Sequence, residues 1–458
     1  MRVTRFHVVG IGGMGMSAIA RLLLARGDQV SGSDKGTWPL AAALAADGAT
    51  VATTFDAANL EGADVVIRSS AYGDTNPEVA AAHAKRLPVW KREDAWGYLA
   101  RGKRVVAIAG THGKSTTTAL TWTALRAGGL DPSLICGAVL RDLGTNAYAG
   151  GGDILVIEAD EYDRAFLALE PEIALVTNVD HDHVDVFPTP FDYAEAFTSF
   201  AERIVPGGSL VASADDGGAA RLAAKVARDA PGRTVATYGT ADEATYRLVE
   251  LVQGRNGVSF LLTGPFEPAV PVALRLAGAH NARNAAGALA AADACGVPAS
   301  AAAQGFATFT GTERRLEELG TADGIIVVDD YAHHPAEIRA SIEAVRARTS
   351  GRVVVLFQPH TPSRLRAFFD DFADALRTAD VRVVAETFAS ARESADERAD
   401  ARALASRAGG AYAADAAAAA RVLAENARSG DLVLVLGAGD IRPAGERLLE
   451  LLRDRATV

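Results

Sequence analysis

The chain has very little cysteine and a shortage of positive charge. Its 458 residues include only two cysteines, Cys136 and Cys295, which lie far apart, so neither a disulfide framework nor a cysteine-based zinc site is indicated. We expect both thiols to be small buried side chains. Lysine and arginine number 46 against 57 acidic residues, and the net charge of -11 argues against a nucleic-acid partner. A local basic pocket for an acidic small molecule is still compatible with this balance.

The sequence also lacks a long uninterrupted hydrophobic run. No stretch reaches the length of about 18 apolar residues that a transmembrane helix needs. The amino-terminal segment has two arginines and an apolar stretch, as signal peptides do. However, Gly10, Gly12, Gly13 and Gly15 interrupt it, and no clear cleavage site follows. We therefore predict a cytoplasmic protein without a membrane partner.

Hydrophobic residues make up 49% of the chain, and its length is sufficient for two or three domains. Apolar strand-like runs alternate with helical stretches, which predicts three consecutive α/β domains. We assign residues 1–101 to a Rossmann-like domain, 102–310 to a P-loop domain with a small β-hairpin region, and 311–458 to a second Rossmann-like domain.

Several local expectations accompany this division. The turn Asn256-Gly257 predicts a hairpin between residues 245 and 275. The polar stretch 87–103 is interpreted as a connection into the second domain. Four apolar strands are expected in the third domain, and its alanine-rich run at 413–420 is expected to be helical.

The segment FHVVGIGGMGMSAIARLLLARGDQVSGSD, which begins at Phe6, predicts a strand, a glycine turn, a helix and another strand. Gly10, Gly12 and Gly15 have the spacing of a dinucleotide fingerprint, and Asp34 follows at the end of the second strand. Taken alone, this loop first suggests a nicotinamide cofactor. Asp34 would then contact a ribose or a base, or it would be an ordinary exposed turn residue.

The segment IAGTHGKSTTT predicts a second phosphate-binding loop. Ile108 occupies the position of the first glycine in the usual pattern. Nevertheless, Gly110, Gly113, Lys114 and Ser115 supply the backbone N–H groups, the cation and the hydroxyl that a triphosphate with Mg²⁺ requires. An ATP loop and a separate diphosphate loop in one chain indicate a ligase that acts on a nucleotide-linked substrate.

Two further predicted strands end in clusters of acidic and histidine side chains. One cluster begins at Glu158, and the other begins at Asp180 and includes His183. Because ligands bind at the carboxyl ends of strands in such sheets, both clusters should lie beside the ATP loop. Mg²⁺ prefers oxygen ligands, so His183 is the less obvious ligand of the set. Exposed acidic loops that bind no metal are the alternative.

These segments together resemble the Mur ligases of peptidoglycan synthesis. The matching blocks run through all three predicted domains and include GIGGMGMSAIA, GTHGKSTTT, EADEYD, TNVDHDHVD, HNARNA, DDYAHHP and GAGD. The resemblance is closest to the branch that joins L-alanine to UDP-N-acetylmuramate with ATP and Mg²⁺. It implies amide formation through an acyl phosphate by a monomer or homodimer. The missing first glycine in the ATP loop is usual in that family.

The resemblance also implies roles for individual residues. The UDP-sugar would be bound by Gly12, Gly13, Gly15, Asp34 and Ser70. ATP would be bound by Gly110, Thr111, Gly113, Lys114, Ser115, Thr116, His280, Asn281, Asn284 and Asp330. L-Alanine would be bound by Tyr331, His333 and Arg364. Mg²⁺ would be held by Ser115, Glu158 and His183, and the catalytic residues would be Lys114, Glu158, His183 and Arg315.

Two departures from the family pattern affect these expectations. Residues 184–200 contain no lysine, so the carbamylated lysine of several relatives is excluded there, which fits the alanine-adding branch. Thr361-Pro362 replaces a pair that commonly contains arginine, so Arg364 is the nearest guanidinium for the amino-acid carboxylate. A surface arginine that caps the next helix is the alternative for Arg364.

Three rival functions stay open at this point. The first is a recycling ligase that adds a tripeptide to the same UDP-sugar. The second is an NAD-dependent oxidoreductase, which is supported only by the first glycine loop. The third is a non-catalytic nucleotide switch, which leaves the Glu158 and His183 clusters unexplained.

Overall fold

Strands and helices alternate along the chain and build three sheets in succession. The computed structural model describes residues 3–388 and 400–456. The predicted α/β class is confirmed. Within the described ranges, no helix combines the length and hydropathy that a membrane crossing requires.

The first sheet has five parallel strands in the order β3-β2-β1-β4-β5. These strands are β1 (Arg5–Val9), β2 (Gln29–Ser33), β3 (Thr50–Ala52), β4 (Val65–Arg68) and β5 (Val89–Trp90). The helices are α1 (Met14–Ala25), α2 (Pro39–Ala46), α3 (Pro77–Ala84) and α4 (Arg92–Ala100). From β1 the chain adds β2 and β3 on one side of the sheet and then crosses to add β4 and β5 on the other side. The glycine turn after β1 therefore lies at the switch point where such sheets bind ligands.

The polar stretch 87–103 leads into β6, as expected, and it forms β5 and α4 on the way. Helix α4 begins with three charged residues, and Ala95, Trp96 and Leu99 are buried on one side of it. Arg92, at its first position, pairs with Asp160 at 2.8 Å and so links α4 to the middle of the chain.

The second sheet has ten strands in the order β15-β14-β13-β12-β11-β10-β6-β9-β7-β8. These are β6 (Arg104–Ala109), β7 (Ser133–Leu140), β8 (Thr145–Tyr148), β9 (Ile154–Glu158), β10 (Ile173–Val176), β11 (Ser209–Ser213), β12 (Thr234–Gly239), β13 (Tyr246–Gly254), β14 (Gly257–Gly264) and β15 (Phe266–Leu274). Its helices are α5 (Lys114–Ala127), α6 (Pro190–Glu202), α7 (Gly217–Asp229), α8 (Ala279–Ala294) and α9 (Ala299–Gln304).

Two features of this sheet were expected from the sequence. Strand β6 lies between β10 and β9 and is parallel to both, so the three carboxyl ends share one edge. The predicted hairpin is confirmed, because β13 and β14 pair in antiparallel fashion and Gly254 lies opposite Gly257. Strand β15 extends this hairpin into a three-stranded meander.

The third sheet has the order β16-β17-β21-β18-β19-β20. Its strands are β16 (Glu317–Ala322), β17 (Ile325–Asp330), β18 (Val353–Phe357), β19 (Val381–Ala385), β20 (Ala411–Ala413) and β21 (Leu432–Leu436). Its helices are α10 (Pro335–Arg346), α11 (Pro362–Ala367), α12 (Phe369–Leu376), α13 (Ala401–Ala408), α14 (Ala416–Asn426) and α15 (Arg442–Ala456). The four expected strands are present, and β16 and β20 add to them. The alanine-rich run is helical from Ala416, whereas Ala413 ends β20.

Buried side chains of the first and second sheets form one continuous hydrophobic cluster, and α1 packs against β7 and β8. Asn146 on β8 donates a hydrogen bond to Ser17 Oγ on α1 at 3.3 Å. The third sheet has separate clusters on its two faces. Cys136 is buried as expected, but Cys295 is only half-buried, which corrects the expectation for that thiol.

Candidate functional site

The ATP loop connects β6 to α5 and depends on two glycines. Gly113 precedes α5 with a φ of 79°, and a side chain there would lie 2.7 Å from Asn284 Oδ1. Gly110 has a φ of 138°, and a side chain there would overlap Thr177. Both positions therefore need glycine, which leaves the start of α5 open to an anion.

Lys114 is the first residue of α5 and is already paired. Its Nζ lies 2.8 Å from Glu161 Oε2 and donates to Thr111 O at 3.1 Å. Burial disfavours the charge, but the carboxylates of Glu161 and Asp160 outweigh it and raise the pKa of Lys114. Lys114 is thus a charged group beside the loop, and an incoming phosphate would replace its protein partners.

The acidic residues after β9 surround the start of α5. Glu158 Oε1 accepts a hydrogen bond from Ser115 Oγ at 3.1 Å, and its Oε2 accepts one from Gly137 N at 2.6 Å. His183 Nε2 lies 3.3 Å from Oε1 of the buried Glu161. Glu158, Ser115 and His183 face the same cavity.

The immediate acidic neighbours of His183 differ from the predicted set. Potential ligand atoms of Asp160, Glu161 and His183 all lie within 4.8 Å of one another. Burial lowers the pKa of His183, but Asp182 and Glu161 outweigh that effect and raise it. This donor set is rich in carboxylate oxygen, as Mg²⁺ requires.

Two cavities follow from this arrangement. The larger has a volume of about 620 Å³ and is lined by these predicted residues: Gly13, Gly15, Ser70, Thr111, Gly113, Lys114, Ser115, Glu158, His183, Arg315, Tyr331, His333 and Arg364. The smaller has a volume of about 210 Å³ and is lined by these: Gly113, Thr116, His280, Asn281, Asn284, Arg315 and Asp330. Both cavities are bordered by Gly113, Arg315 and Glu337, so the two spaces meet at the start of α5.

The smaller cavity suits an uncharged ring beside a sugar. Burial lowers the pKa of His280 to about 4, so its imidazole is neutral. Asn281 Nδ2 donates to Ala277 O at 2.8 Å, which fixes its amide. Burial raises the pKa of Asp330 to about 6, and its Oδ2 accepts from Leu316 N at 2.7 Å.

Of the predicted residues, Gly12, Asp34 and Gly110 line neither cavity. Asp34 is buried, and its Oδ2 accepts from Gly12 N at 2.9 Å while its Oδ1 accepts from Tyr72 Oη at 3.3 Å. The alternative of an exposed turn residue is therefore wrong. Asp34 instead fixes the glycine loop from within. A side chain at Gly12 would approach Trp38 to 2.7 Å, so this position needs glycine for packing within the domain itself.

Arg364 is not a surface residue, so the alternative considered for it was wrong. It is 5% exposed and forms a two-point ion pair with Asp182, which is 3% exposed. Arg364 Nε donates to Asp182 Oδ1 at 2.9 Å, and Nη2 donates to Oδ2 at 3.1 Å. Thr361, at a φ of 68°, caps α11 by accepting from Arg364 N at 3.4 Å. This pair joins the third sheet to the loop after β10.

The predicted set omitted Glu161, Asp182, His112 and Glu337. Glu161 and Asp182 lie in the acidic clusters that begin at Glu158 and Asp180. The sequence therefore indicated the clusters but not which of their members face the ATP loop. His112 lies within the recognised ATP loop. Glu337 occupies the first turn of α10, and nothing in its local sequence connects it with the ATP loop.

Three family models match consecutive parts of the chain. They describe the Mur ligase family, catalytic domain (residues 5–104), the Mur ligase middle domain (108–292) and the Mur ligase, glutamate ligase domain (314–439). Together they cover most of the length.

Curated relatives match over almost the whole chain. A UDP-N-acetylmuramate–L-alanine ligase of Arthrobacter sp. (strain FB24) is 45% identical, over 98% of this chain and 95% of its own length. The protein of that name from Paenarthrobacter aurescens (strain TC1) is 42% identical, over 98% and 97%.

Solved structures agree with these relatives. A UDP-N-acetylmuramate-alanine ligase from Thermotoga maritima superposes with a TM-score of 0.82 at 26% identity, covering 99% of this chain and 100% of that one. A murein peptide ligase from Psychrobacter arcticus has a TM-score of 0.75 at 22% identity, covering 98% and 99%, a likeness of fold.

Proposed function

The chain belongs to the Mur ligase family, and on this premise we propose that it joins L-alanine to the lactyl carboxylate of UDP-N-acetylmuramate through an acyl phosphate, with cleavage of ATP to ADP and phosphate. The arrangement of the two cavities is the structural observation that best supports this proposal. The cavity with the neutral His280 shares the lining residues Gly113 and Arg315 with the cavity that contains Lys114 and Arg364, so the two lie side by side. ATP in the smaller cavity would therefore direct its γ-phosphate into the larger one.

The reaction needs two transfers in that larger cavity. A carboxylate is a poor electrophile, so its oxygen first attacks the γ-phosphorus of ATP, and the bond to the ADP oxygen breaks. The amine of L-alanine then attacks the acyl carbon and loses a proton. Phosphate departs with the electron pair of the broken C–O bond, and an amide is left. Positioning and charge stabilisation supply most of such catalysis.

The cations of the site would oppose the charges that gather there. Lys114 at the start of α5 would contact the β- and γ-phosphates. Arg315 borders both cavities and would bridge them at the transferred phosphoryl group. Burial disfavours its charge, but Glu337 and Asp330 outweigh this and raise the pKa of Arg315, so it stays a cation.

Mg²⁺ fits the donor set beside this loop. Ser115, Glu158 and His183 would hold the ion, with the carboxylates of Asp160 and Glu161 next to His183. When bound, Mg²⁺ neutralises phosphate charge. Ser115 and Glu158 are already oriented toward each other by their hydrogen bond at 3.1 Å, so these two oxygens are held together before an ion arrives.

The amino-acid end of the larger cavity is lined by Tyr331, His333 and Arg364. Burial lowers the pKa of His333 to about 4, so Arg364 is the cation of this trio. Its planar fork suits a carboxylate, and L-alanine would take the place of Asp182 on it. All of these groups come from one chain, so either a monomer or a homodimer accommodates the site. We place the reaction in the cytoplasm, where ATP is available.

The rival functions fit less well. A nicotinamide enzyme leaves Lys114 and its loop without a role, and Asp34 is engaged with Gly12 N instead of being open to a ribose. A tripeptide ligase shares the fold, but the curated relatives at 42% and 45% identity carry the alanine name.

Phosphate release tests the proposal directly. The purified chain should release phosphate only when ATP, Mg²⁺, UDP-N-acetylmuramate and L-alanine are all present, and mass spectrometry should show the UDP-sugar gaining one alanyl residue. Faster turnover with the tripeptide would favour the recycling ligase. Saturable NAD binding that UDP-N-acetylmuramate does not displace would favour the oxidoreductase.

A further inference from the structure

His112 lies in the ATP loop with a carboxylate at each ring nitrogen. Its Nε2 is 3.4 Å from Asp180 Oδ2, and its Nδ1 is 3.3 Å from Glu337 Oε1. The His112 ring also packs against the ring of His334, with 4.6 Å between centroids and an angle of 36° between the ring planes. Asp180 follows β10 of the second sheet, whereas His334 and Glu337 belong to the start of α10 beside the third sheet. His112 is therefore a bridge between the nucleotide loop and the third sheet.

This geometry favours an imidazolium over a metal ligand. His112, Asp180 and His334 could bring ligand atoms within 4.8 Å of one another, as a metal site would. However, both nitrogens of His112 face carboxylate oxygens, and each such contact requires a proton on the nitrogen. Burial lowers the pKa of His112, but Asp180 and Glu337 outweigh it and raise the pKa to about 9. A doubly protonated ring has no lone pair for a metal.

Glu337 divides its two oxygens between the two substrate regions. Oε1 faces His112 of the ATP loop, while Oε2 accepts from His333 N at 3.0 Å and lies 3.4 Å from His333 Nδ1. Glu337 also borders both cavities. The side chain of Glu337 thus contacts both the ATP loop and His333, and it projects from the first turn of α10.

We propose that the His112–Glu337 pair couples the ATP loop to His333, and that Glu337 is a positioning residue for the amino-acid substrate. This rests on the proposed function for the identity of that substrate. Each ligand would favour the arrangement in which the pair is formed, so binding of either one would tighten binding of the other. The coupling is carried by an ion pair that touches neither reacting atom.

The test uses Glu337→Gln, His112→Gln and the double variant of the full chain, with Glu343→Gln as the matched control. Glu343 is exposed on the same helix, so its change removes the same charge away from the cavities. ATP affinity is measured by calorimetry without turnover, and the KM for L-alanine by phosphate release. We expect each single variant to weaken ATP binding and raise the L-alanine KM, both by about tenfold. The double variant should match the worse single variant, and the control should stay within about twofold of wild type.

Two results would overturn the inference. Additive effects in the double variant would show that His112 and Glu337 act separately. An unchanged L-alanine KM alongside weaker ATP binding would confine the pair to the nucleotide site. Unfolding curves identify any variant that does not fold, and if His112→Gln fails, the two measurements on Glu337→Gln still decide. Because calorimetry needs no ligation, a wild-type chain that binds ATP but joins no amino acid would refute the proposed function separately from the bridge.

Discussion

The pair of Arg364 and Asp182 allows a sharp test of the amino-acid site. Arg364→Lys keeps the positive charge but replaces a planar fork by a single ammonium group. In the structure, Nε and Nη2 of Arg364 each contact a different oxygen of Asp182, at 2.9 and 3.1 Å. A lysine can satisfy one of these oxygens and leaves the other without its partner. The same loss applies if the carboxylate of L-alanine takes the place of Asp182.

The expected magnitude follows from this count of hydrogen bonds. One charge-assisted hydrogen bond is worth about 1.5–3 kcal/mol, so Arg364→Lys should raise the L-alanine KM by about tenfold to a hundredfold. Arg364→Ala should lower the free energy of unfolding by about 3–5 kcal/mol, because the 3%-exposed Asp182 would be left buried and unpaired. The KM values for ATP and UDP-N-acetylmuramate should change by less than about twofold, because the replaced contact is specific to the amino acid.

Steady-state kinetics with each substrate varied in turn, together with urea unfolding, decide the matter. If Arg364→Lys destabilises the fold while the L-alanine KM is unchanged, Arg364 stays with Asp182 during catalysis and the carboxylate is bound elsewhere. Arg366→Lys is the matched comparison, because Arg366 is exposed on the same helix. A rise in KM for Arg366→Lys alone would transfer the assignment to that residue.

Other residues give further predictions. Lys114→Ala should still fold, because His183 and Tyr193 remain as partners of the buried Glu161, but its free energy of unfolding should fall. Cooperative urea unfolding checks the fold. Turnover should fall by about a thousandfold, since no other cation replaces the charge of Lys114 at the phosphates. Glu158→Gln and His183→Ala should each shift Mg²⁺ titrations of activity to higher concentration, whereas Asp185→Asn should shift them less. Asp330, with its pKa raised to about 6, binds a proton more tightly in the folded state, so its own contribution to the free energy of unfolding should fall by about 3 kcal/mol as pH rises from about 4 to 6. In urea unfolding, the difference between wild type and Asp330→Asn should change by that amount over the same pH range.

Much of the fold was predictable because each sheet contains buried strands, and an apolar run followed by a polar turn marks such a strand in the sequence. Strand β6 and helix α5 are an example, since the apolar run before Gly110 and the helical run after Gly113 leave few alternatives. Strand β16 was not predictable, because it is a mostly half-exposed edge strand, and its sequence EELGTA lacks the apolar alternation of a core strand. Helix α4 was not predictable, because it is short, its first three residues are charged, and Gly97 interrupts its buried residues.

The candidate site likewise contains residues that were predictable from the sequence and residues that were not. Residues inside a motif, such as Ser115 and Glu158, face the same cavity as expected, because the strand order brings neighbouring strand ends together. Partners from another sheet were not predictable. Asp182 and Arg364 are 182 residues apart, and only the packing of the third sheet against the second brings them together. Local sequence patterns carry no information about such a contact.

The charges of the site indicate how a chain with a net charge of -11 would bind the triphosphate and the amino-acid carboxylate of the proposed reaction. Each of the main cations has a carboxylate partner before any substrate arrives: Lys114 has Glu161 and Arg364 has Asp182. A buried cation without a partner would be costly, so these carboxylates keep the cavity stable while it is empty of substrate. The triphosphate and the amino-acid carboxylate would then exchange with existing partners instead of filling a bare positive pocket. Under the proposed function, each substrate would have to compete with the carboxylate that now pairs with its cation, so Glu161 and Asp182 would influence binding as well as Lys114 and Arg364.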